Sequence, residues 1–219
     1  MHPHVQSDER NMLSVGYKSL LARRRASWRA IYALEQEEDS KRDRNNEFKL
    51  RHLRVFREKL EKEIDQFCRE VLGMLEDNLI PHCQCAESAV FYFKMKGDYY
   101  RYLAEFKVAG ERREASERAL VAYRAACQTA DAKLTPASPV VLGLALNFSV
   151  FHYEILHSPE KACQIAQTAF DKAKAELLTL PKEESKDSTL ILKLLRDNLT
   201  LWTADLEGIE QKTPLSTMR

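Results

Sequence analysis

The sequence predicts an all-α fold, an antiparallel array of about seven helices, and three observations support it. Only 6 Gly and 7 Pro occur in 219 residues, so helix breakers are scarce. Charged residues make up 31% and hydrophobic residues 44%, as expected for helices with apolar inner faces and hydrated outer faces. No stretch alternates apolar and polar residues as a half-buried strand does, and a β-sandwich would need many more turn residues.

The first two helices are separated by a charged segment. The first is expected over residues 11–35. Residues 37–47 contain no apolar side chain, which indicates an exposed loop that is several residues longer than usual for the family named below. The second helix is expected from Phe48 to near Ile80, because its apolar residues recur at steps of three and four and Pro81 follows.

Five further helices are expected beyond Pro81. The first of them covers residues 89–108, with Gly110 as its stop signal, and the next two cover 111–133 and 141–156. The sixth helix begins at Pro159 and is closed by Pro181, and the last covers 187–204. Proline fits the first turn of a helix, so Ser158-Pro159 indicates a start. We expect one domain over residues 1–219, with a disordered start over 1–7 and a flexible tail over 206–219.

Composition excludes several functional classes. The net charge of +1 gives no overall field that would recruit nucleic acid. No window approaches eighteen uninterrupted apolar residues, so no transmembrane helix and no membrane partner are expected. The first residues lack the apolar core of a signal peptide. Five cysteines, an odd number within helical patterns, suit reduced thiols in the cytoplasm, with the nucleus as a further compartment.

Two helices carry the same pair of cations. Lys18 and Arg25 are seven residues apart, which places them on one helical face, and Lys94 and Arg101 repeat this spacing. With a tyrosine hydroxyl from the same run beside them, these groups would suit a phosphate, because Arg offers a planar fork and Lys a point charge. Taken on spacing alone, solvated charges on surface helices are the favoured interpretation.

Two apolar stripes are each interrupted by an asparagine. An Asn amide has both a donor and an acceptor, so it can hold the backbone of an extended peptide. Ordinary core stripes with buried caps are the alternative that the pattern leaves open. The stripes consist of Leu146, Asn147, Val150 and Glu154, and of Ile191, Leu194, Asn198 and Trp202.

Long segments of the chain resemble the 14-3-3 family. The run RNMLSVGYK at residues 10–18 is similar to the first signature of that family, and RRASWR at 24–29 continues it. Residues 90–105, 142–156 and 186–203 are similar almost residue for residue. The resemblance covers nearly the whole chain from residue 8 to about 204. Within the family, the sequence is expected to be most similar to the epsilon-like isoforms.

The resemblance implies an adaptor that binds phosphoserine or phosphothreonine peptides in a concave helical groove, without catalysis, cofactor or metal. Its implied partners are phosphorylated client proteins. It assigns the phosphate to Lys18, Arg25, Arg101 and Tyr102, with Lys94 beside them. It assigns the ligand main chain to Asn147 and Asn198 and a supporting role to Glu154. The apolar wall opposite would consist of Leu146, Val150, Ile191, Leu194 and Trp202.

The chain departs from the family pattern at several places. Members carry two further helices before the first signature and an acidic tail, and neither is present here. The face that would receive those helices is retained at Phe56, Lys59 and Glu63, so we expect a monomer, a loose dimer, or heterodimers with full-length 14-3-3 chains. Ser185 replaces a usual Tyr, and Val141 replaces a usual basic residue.

The other motifs in the sequence give little indication of function. His82-Cys83-Gln84-Cys85 resembles half a zinc site, but no second pair follows at zinc spacing, so we expect incidental thiols. No P-loop, zincin, nucleophile elbow or kinase motif indicates an enzyme. Ser27 follows two arginines as a phosphorylation site would, and the carboxyl end at 217–219 could serve as a self-ligand.

Two alternatives to a dimeric phosphopeptide adaptor are kept. The first is a truncated isoform that acts mainly as a monomer or as a heterodimerising modulator. The second is a phosphate-independent helical scaffold, which leaves the basic cluster without a role.

Overall fold

A computed structural model describes residues 7–41, 47–178 and 185–212. These residues form seven α-helices and one π turn at Leu75–Leu79, with no β-strand among them, so the all-α prediction is confirmed. The helices are α1 Ser7–Ser40, α2 Glu47–Met74, α3 Ala86–Phe106, α4 Ala109–Lys133, α5 Pro139–Glu154, α6 Pro159–Leu177 and α7 Lys186–Lys212. None of these described helices combines the length and apolar character that a membrane crossing requires.

The helices group into two compact units. The first, Met1–Pro81, contains α1 packed on α2, and the second, His82–Arg219, contains α3 to α7. In the second unit α3 packs on α4 and α5, while α6 packs on both α5 and α7. The expected single domain over 1–219 and its concave groove involve both units and stay predictions.

Helix α1 is longer than predicted. Residues 37–40, expected in a loop, form its last turn, and Glu47, also assigned to that loop, already begins α2. The charges stabilise helix here: Lys41 Nζ lies 2.9 Å from a carboxylate oxygen of Glu37 and 2.9 Å from one of Glu38, at spacings of four and three. Lys49 Nζ approaches Glu38 to 2.6 Å. The rest of the predicted loop, 42–46, lies outside the described residues.

The break between α3 and α4 does not use Gly110. The chain is extended at Lys107 and Val108, and Ala109 adopts φ 46°, in the left-handed region that favours glycine. Gly110 lies inside α4, where a Cβ would meet no atom within 4 Å. The predicted stop at Gly110 was therefore wrong, because the turn uses an alanine for the unusual backbone conformation.

Helix α7 continues to Lys212, beyond the predicted end near residue 204. The added residues contain no proline, and the hydroxyl of Tyr153 on α5 donates a hydrogen bond to the Asp205 carboxylate, which ties this turn to its neighbour. Residues 206–212 of the predicted tail are thus helical. Ser7, assigned to the disordered start over 1–7, already begins α1. The rest of that start, 1–6, and the predicted self-ligand at 217–219 lie outside the described residues.

Small residues bring α5, α6 and α7 close together. Three alanines of α6 are fully buried, which allows the bulkier side chains of α5 and α7 to reach across. This core contains Leu142, Ala162, Ala166, Ala173, Leu192, Leu195 and Trp202. It fixes the positions of α5 and α7, the two helices that carry the predicted peptide contacts.

Candidate functional site

Helix α3 buries three charged side chains on one face. Lys94 is 6% exposed, Asp98 is fully buried, and Arg101 is 7% exposed. Their offsets of four and three place them on adjacent turns of the same face. Charges are rarely buried unless they are paired, so these three side chains are expected to have partners on the neighbouring helices.

Asp98 is the centre of this cluster and accepts hydrogen bonds from three helices. Tyr123 of α4 donates its hydroxyl at 2.7 Å. Asn147 of α5 donates its amide nitrogen at 2.9 and 2.8 Å to the two carboxylate oxygens. Lys94 Nζ and Arg101 Nη2 each lie 3.4 Å away. The donors satisfy the buried carboxylate and join α3, α4 and α5 at one point.

The approach of Tyr123 to α3 depends on Gly97. A Cβ added to this glycine would lie 2.8 Å from the aromatic carbons of Tyr123, closer than real contacts allow. The missing side chain therefore lets the ring lie against the α3 backbone, where its hydroxyl reaches Asp98. Gly97 is a packing requirement of the cluster rather than a helix end.

The guanidinium of Arg101 is held in place by several groups. Its Nε donates to the Tyr123 hydroxyl at 3.2 Å, and its plane lies over the Tyr102 ring, 4.8 Å from the centroid. Nη1 lies 3.9 Å from a carboxylate oxygen of Glu154, which is 40% exposed. These contacts fix the orientation of the Arg101 fork, which lowers the entropy lost when it binds a ligand.

Electrostatics fix the protonation states of Arg101 and Tyr123. Burial opposes the charge on Arg101, but Tyr123, Tyr102 and Asp98 outweigh it and raise its pKa well above the ordinary value. Burial, followed by the charge of Asp98, raises the pKa of Tyr123 far above its usual range, so its hydroxyl remains a donor. Lys94 and Arg101 thus flank one buried carboxylate, and the Glu154 carboxylate lies 3.9 Å from Arg101 at the exposed edge, where a phosphate could compete for the guanidinium.

The other predicted phosphate residues lie in the first unit. Lys18 and Arg25 are half-buried on α1. Next to Arg25, Arg24 has a structural role: its Nε lies 2.9 Å from Glu63 of α2, and its guanidinium lies over the Phe67 ring at 4.6 Å. The joining of Lys18 and Arg25 with Arg101 and Tyr102 involves both units and stays a prediction.

The predicted peptide-binding residues of α5 have mixed environments. Asn147 is half-buried and directs its amide nitrogen toward Asp98. Leu146 and Val150 pack partly against the core of α5, α6 and α7. Each therefore keeps a partly accessible surface beside the Asp98 cluster, which is compatible with a peptide contact.

The predicted stripe on α7 divides into a core part and an exposed part. Trp202 is 3% exposed and stacks on Tyr153 with ring centroids 4.9 Å apart, so it is a core residue. Leu194 is 45% exposed, while Ile191 and Asn198 are half-buried. The accessible part of the predicted wall is thus the amino-terminal half of α7.

The predicted dimer face lies on α2. Phe56 is 51% exposed and Val55 beside it 62%, and Lys59 is also exposed. Glu63 differs because it is paired with Arg24 of the same chain. Phe56 and Lys59 are therefore accessible, whereas Glu63 already has a partner.

Sequence reasoning missed the centre of the cluster. Asp98, Tyr123 and Gly97 were not assigned a role, although Asp98 follows Lys94 by four residues and precedes Arg101 by three. A carboxylate between two cations on one helical face was the available signal. No such local signal identifies Tyr123, because this residue lies on α4 and reaches Asp98 only in the folded structure.

No group of three or more metal-ligating side chains occurs within the described part of the chain. The thiol of Cys85 instead caps the start of α3 by accepting a hydrogen bond from the Ser88 backbone nitrogen at 3.4 Å. The 82–85 segment thus has a local structural role.

Comparison with known proteins gives one consistent result. The family model described as "14-3-3 protein" matches residues 1–203. The chain is 54% identical over 207 residues to "14-3-3 protein 7" of Solanum lycopersicum, covering 94% of this chain and 81% of the relative. It is 55% identical over 199 residues to "14-3-3-like protein GF14 iota" of Arabidopsis thaliana, covering 91% and 73%.

A third relative, "14-3-3-like protein GF14 psi" of Arabidopsis thaliana, is 57% identical over 199 residues, covering 91% of this chain and 77% of the relative. These relatives are plant isoforms, so the expected likeness to epsilon-like isoforms is corrected. The buried cationic cluster, the seven helices and these matches agree: the chain belongs to the 14-3-3 family and is a phosphopeptide-binding adaptor.

Proposed function

We propose that Lys18, Arg25, Arg101 and Tyr102 bind the phosphate of a phosphoserine or phosphothreonine peptide, with Lys94 beside them. The observation that carries this proposal is the Asp98 cluster, which holds Arg101 and Lys94 buried beside a carboxylate in a fixed geometry. Charge-assisted bonds from a preorganised guanidinium to a phosphate are the strongest class available here. Family membership supports the contribution of the two α1 residues.

The peptide main chain is proposed to be held by Asn147 and Asn198. No described residue donates a hydrogen bond to the amide oxygen of Asn147, whose nitrogen is used by Asp98, so this oxygen is suited to accept a peptide N–H. The partly exposed side chains of Leu146, Val150, Ile191 and Leu194 would contact the ligand's apolar groups. Trp202 would support this wall from the core, and Glu154 would hold Arg101.

Self-association is proposed to use the α2 face around Phe56 and Lys59, and to be loose. The pairing of Glu63 with Arg24 within one chain supports a loose contact, because a partner would have to replace an existing ion pair. The same face would form heterodimers with other 14-3-3 chains. A dimer could bridge two phosphorylated sites and gain avidity through effective concentration.

The proposal places the protein's action in the cytoplasm and the nucleus, through binding rather than catalysis. All five cysteines are free thiols, which is compatible with a reducing compartment. A phosphate-independent scaffold is not favoured, because the chain belongs to a family of phosphopeptide-binding adaptors. The proposed clients are phosphorylated proteins.

The phosphate site is tested with a matched pair of peptides that differ only in the phosphoryl group on one serine. Fluorescence anisotropy should give affinity for the phosphorylated peptide alone. Arg25→Ala or Arg101→Ala should each weaken it by about 1.5–3 kcal/mol, the scale of a hydrogen bond to a charged group. Arg23→Ala, which removes an exposed arginine from the other side of α1, is the control and should leave the affinity unchanged.

The melting temperature of each variant is measured as well, because Arg101 is buried and its replacement also affects folding. An Arg25→Ala protein that melts normally and binds the phosphorylated peptide as tightly as the parent would show that the site assignment is wrong. Sedimentation over a range of micromolar concentrations tests the dimer proposal. A dimer that persists on dilution, or one unaffected by Phe56→Glu, would contradict it.

A further inference from the structure

The second unit contains a cavity between α4, α5 and α6 that the Asp98 cluster does not use. Its volume is about 470 Å³, within the range of small-molecule sites in proteins. The side chains that line it come from α4, α5, α6 and the segment between α4 and α5, and none of the predicted phosphate or peptide residues is among them.

The inner surface of this cavity is apolar. Leu144 and Phe148 of α5 are buried at its floor, and Val141, Leu134 and Ile165 are half-buried along its walls. Burial and the nearby charge of Asp131 raise the pKa of the Cys127 thiol to about 11, so it is protonated and adds to the uncharged surface. Such walls accept a hydrocarbon or aromatic body.

The rim is polar and carries more positive than negative charge. Lys161 and Lys172, both on α6, and Asp131 on α4 are exposed there. Lys161 donates a hydrogen bond to Gln164 at 2.8 Å, and no described residue forms an ion pair with Lys172. The two ammonium groups are thus available at the edge of an apolar cavity, with only Asp131 opposing them.

We propose that this cavity binds a small amphipathic anion, with its apolar body against Leu144, Phe148 and Val141 and its acidic group at the lysines of α6. A carboxylate or sulfonate would gain a charge-assisted bond at the rim, and its body would be removed from water. The site is separate from phosphopeptide binding and goes beyond the function proposed above.

The test uses 8-anilinonaphthalene-1-sulfonate, an aromatic anion, and N-phenyl-1-naphthylamine, the same aromatic body without the sulfonate. Fluorescence titration of the folded protein should give saturable binding of the anion and weaker binding of the neutral compound. Lys161→Gln with Lys172→Gln should lower affinity for the anion about fivefold, as expected for partly exposed charge pairs. The neutral compound should bind this double variant as before.

Lys133→Gln with Lys193→Gln removes two lysines that do not line the cavity and is the charge-matched control. It should leave both affinities unchanged. Val141→Trp should fill the cavity and abolish binding of both compounds. If both compounds bind Val141→Trp and the α6 double variant as they bind the parent, the proposal is wrong.

A second measurement on the unaltered protein covers the case in which Val141→Trp fails to fold. With isoleucine methyl groups labelled for NMR, the anion should shift the methyl signal of Ile165, which lines the cavity. It should leave the signal of Ile191, on α7, in place. A shift at Ile191 without one at Ile165 would place the compound elsewhere and overturn the proposal.

Discussion

The amide nitrogen of Asn147 lies 2.9 and 2.8 Å from the two carboxylate oxygens of Asp98, which joins α5 to α3. A carboxylate only accepts, so this contact fixes which side of the amide carries the nitrogen and leaves the oxygen facing away. Asn147 is therefore oriented by a buried charge before any peptide arrives. Its structural role and its proposed binding role use different atoms of one side chain.

Replacement of the central carboxylate should destabilise the fold. Asp98→Asn removes the carboxylate charge between the buried Lys94 and Arg101 and places an amide where only an acceptor fits. We expect a loss of about 3–5 kcal/mol in the free energy of unfolding, the scale for removing one partner of a buried ion pair. Urea denaturation measures this, with the exposed Asp131→Asn as control. Equal stability of the two variants would contradict the central role of Asp98.

Addition of one methyl group to α3 should disrupt the Tyr123 contact. The Cβ of Gly97→Ala would lie 2.8 Å from the Tyr123 ring, so we expect a loss of about 1–3 kcal/mol, as in overpacked cores. Gly143→Ala is the matched control, because a Cβ there meets nothing within 4 Å and alanine favours helix. Thermal denaturation should show a lower melting temperature for Gly97→Ala and not for Gly143→Ala. A stable Gly97→Ala protein would show that Tyr123 can move away freely.

His152 should make stability depend on pH. Burial, with the charges of Lys161 and Arg124, lowers its pKa below the ordinary 6.5, and no described residue hydrogen-bonds its Nδ1. The unfolded chain therefore binds more protons as the pH falls below 6.5, so acid favours unfolding. His152→Phe keeps a ring beside Phe148, at a centroid distance of 4.8 Å in the parent, and cannot be protonated.

Between pH 7.5 and pH 5.5 the melting temperature of His152→Phe should fall less than that of the parent. His52→Gln, which removes an exposed histidine, should behave like the parent. An identical loss in the parent and in His152→Phe would show that His152 does not contribute to the acid sensitivity.

The two asparagines should separate binding from stability. Asn198→Ala should weaken phosphopeptide binding while the melting temperature stays close to that of the parent. Asn147→Ala should lower both, because it also removes two hydrogen bonds from the buried Asp98. Calorimetric titration and melting curves measure the two effects. If Asn198→Ala melts earlier but binds normally, Asn198 is a structural residue of α7.

Helical periodicity and scarce breakers were enough to predict seven helices, because both act within one element. The ends were harder. Gly110 does not end a helix, because the preceding Ala109 adopts the left-handed conformation of the turn. The charged residues 37–40 do not form a loop, because ion pairs there extend α1. Spacing found Lys94 and Arg101 but not the contact of Arg101 with Tyr123, because a contact between α3 and α4 leaves no local pattern in the sequence.

Arg25 of α1 and Arg101 of α3 are proposed to bind the same phosphate. A double-mutant cycle tests this pairing, with Arg25→Ala and with Arg101→Lys, which keeps the buried charge. Binding of the phosphorylated and of the unphosphorylated peptide is measured by calorimetry. Each change should weaken binding of the phosphorylated peptide only, with a coupling of about 0.5–3 kcal/mol between the two changes. Strictly additive effects, or equal losses for both peptides, would contradict it.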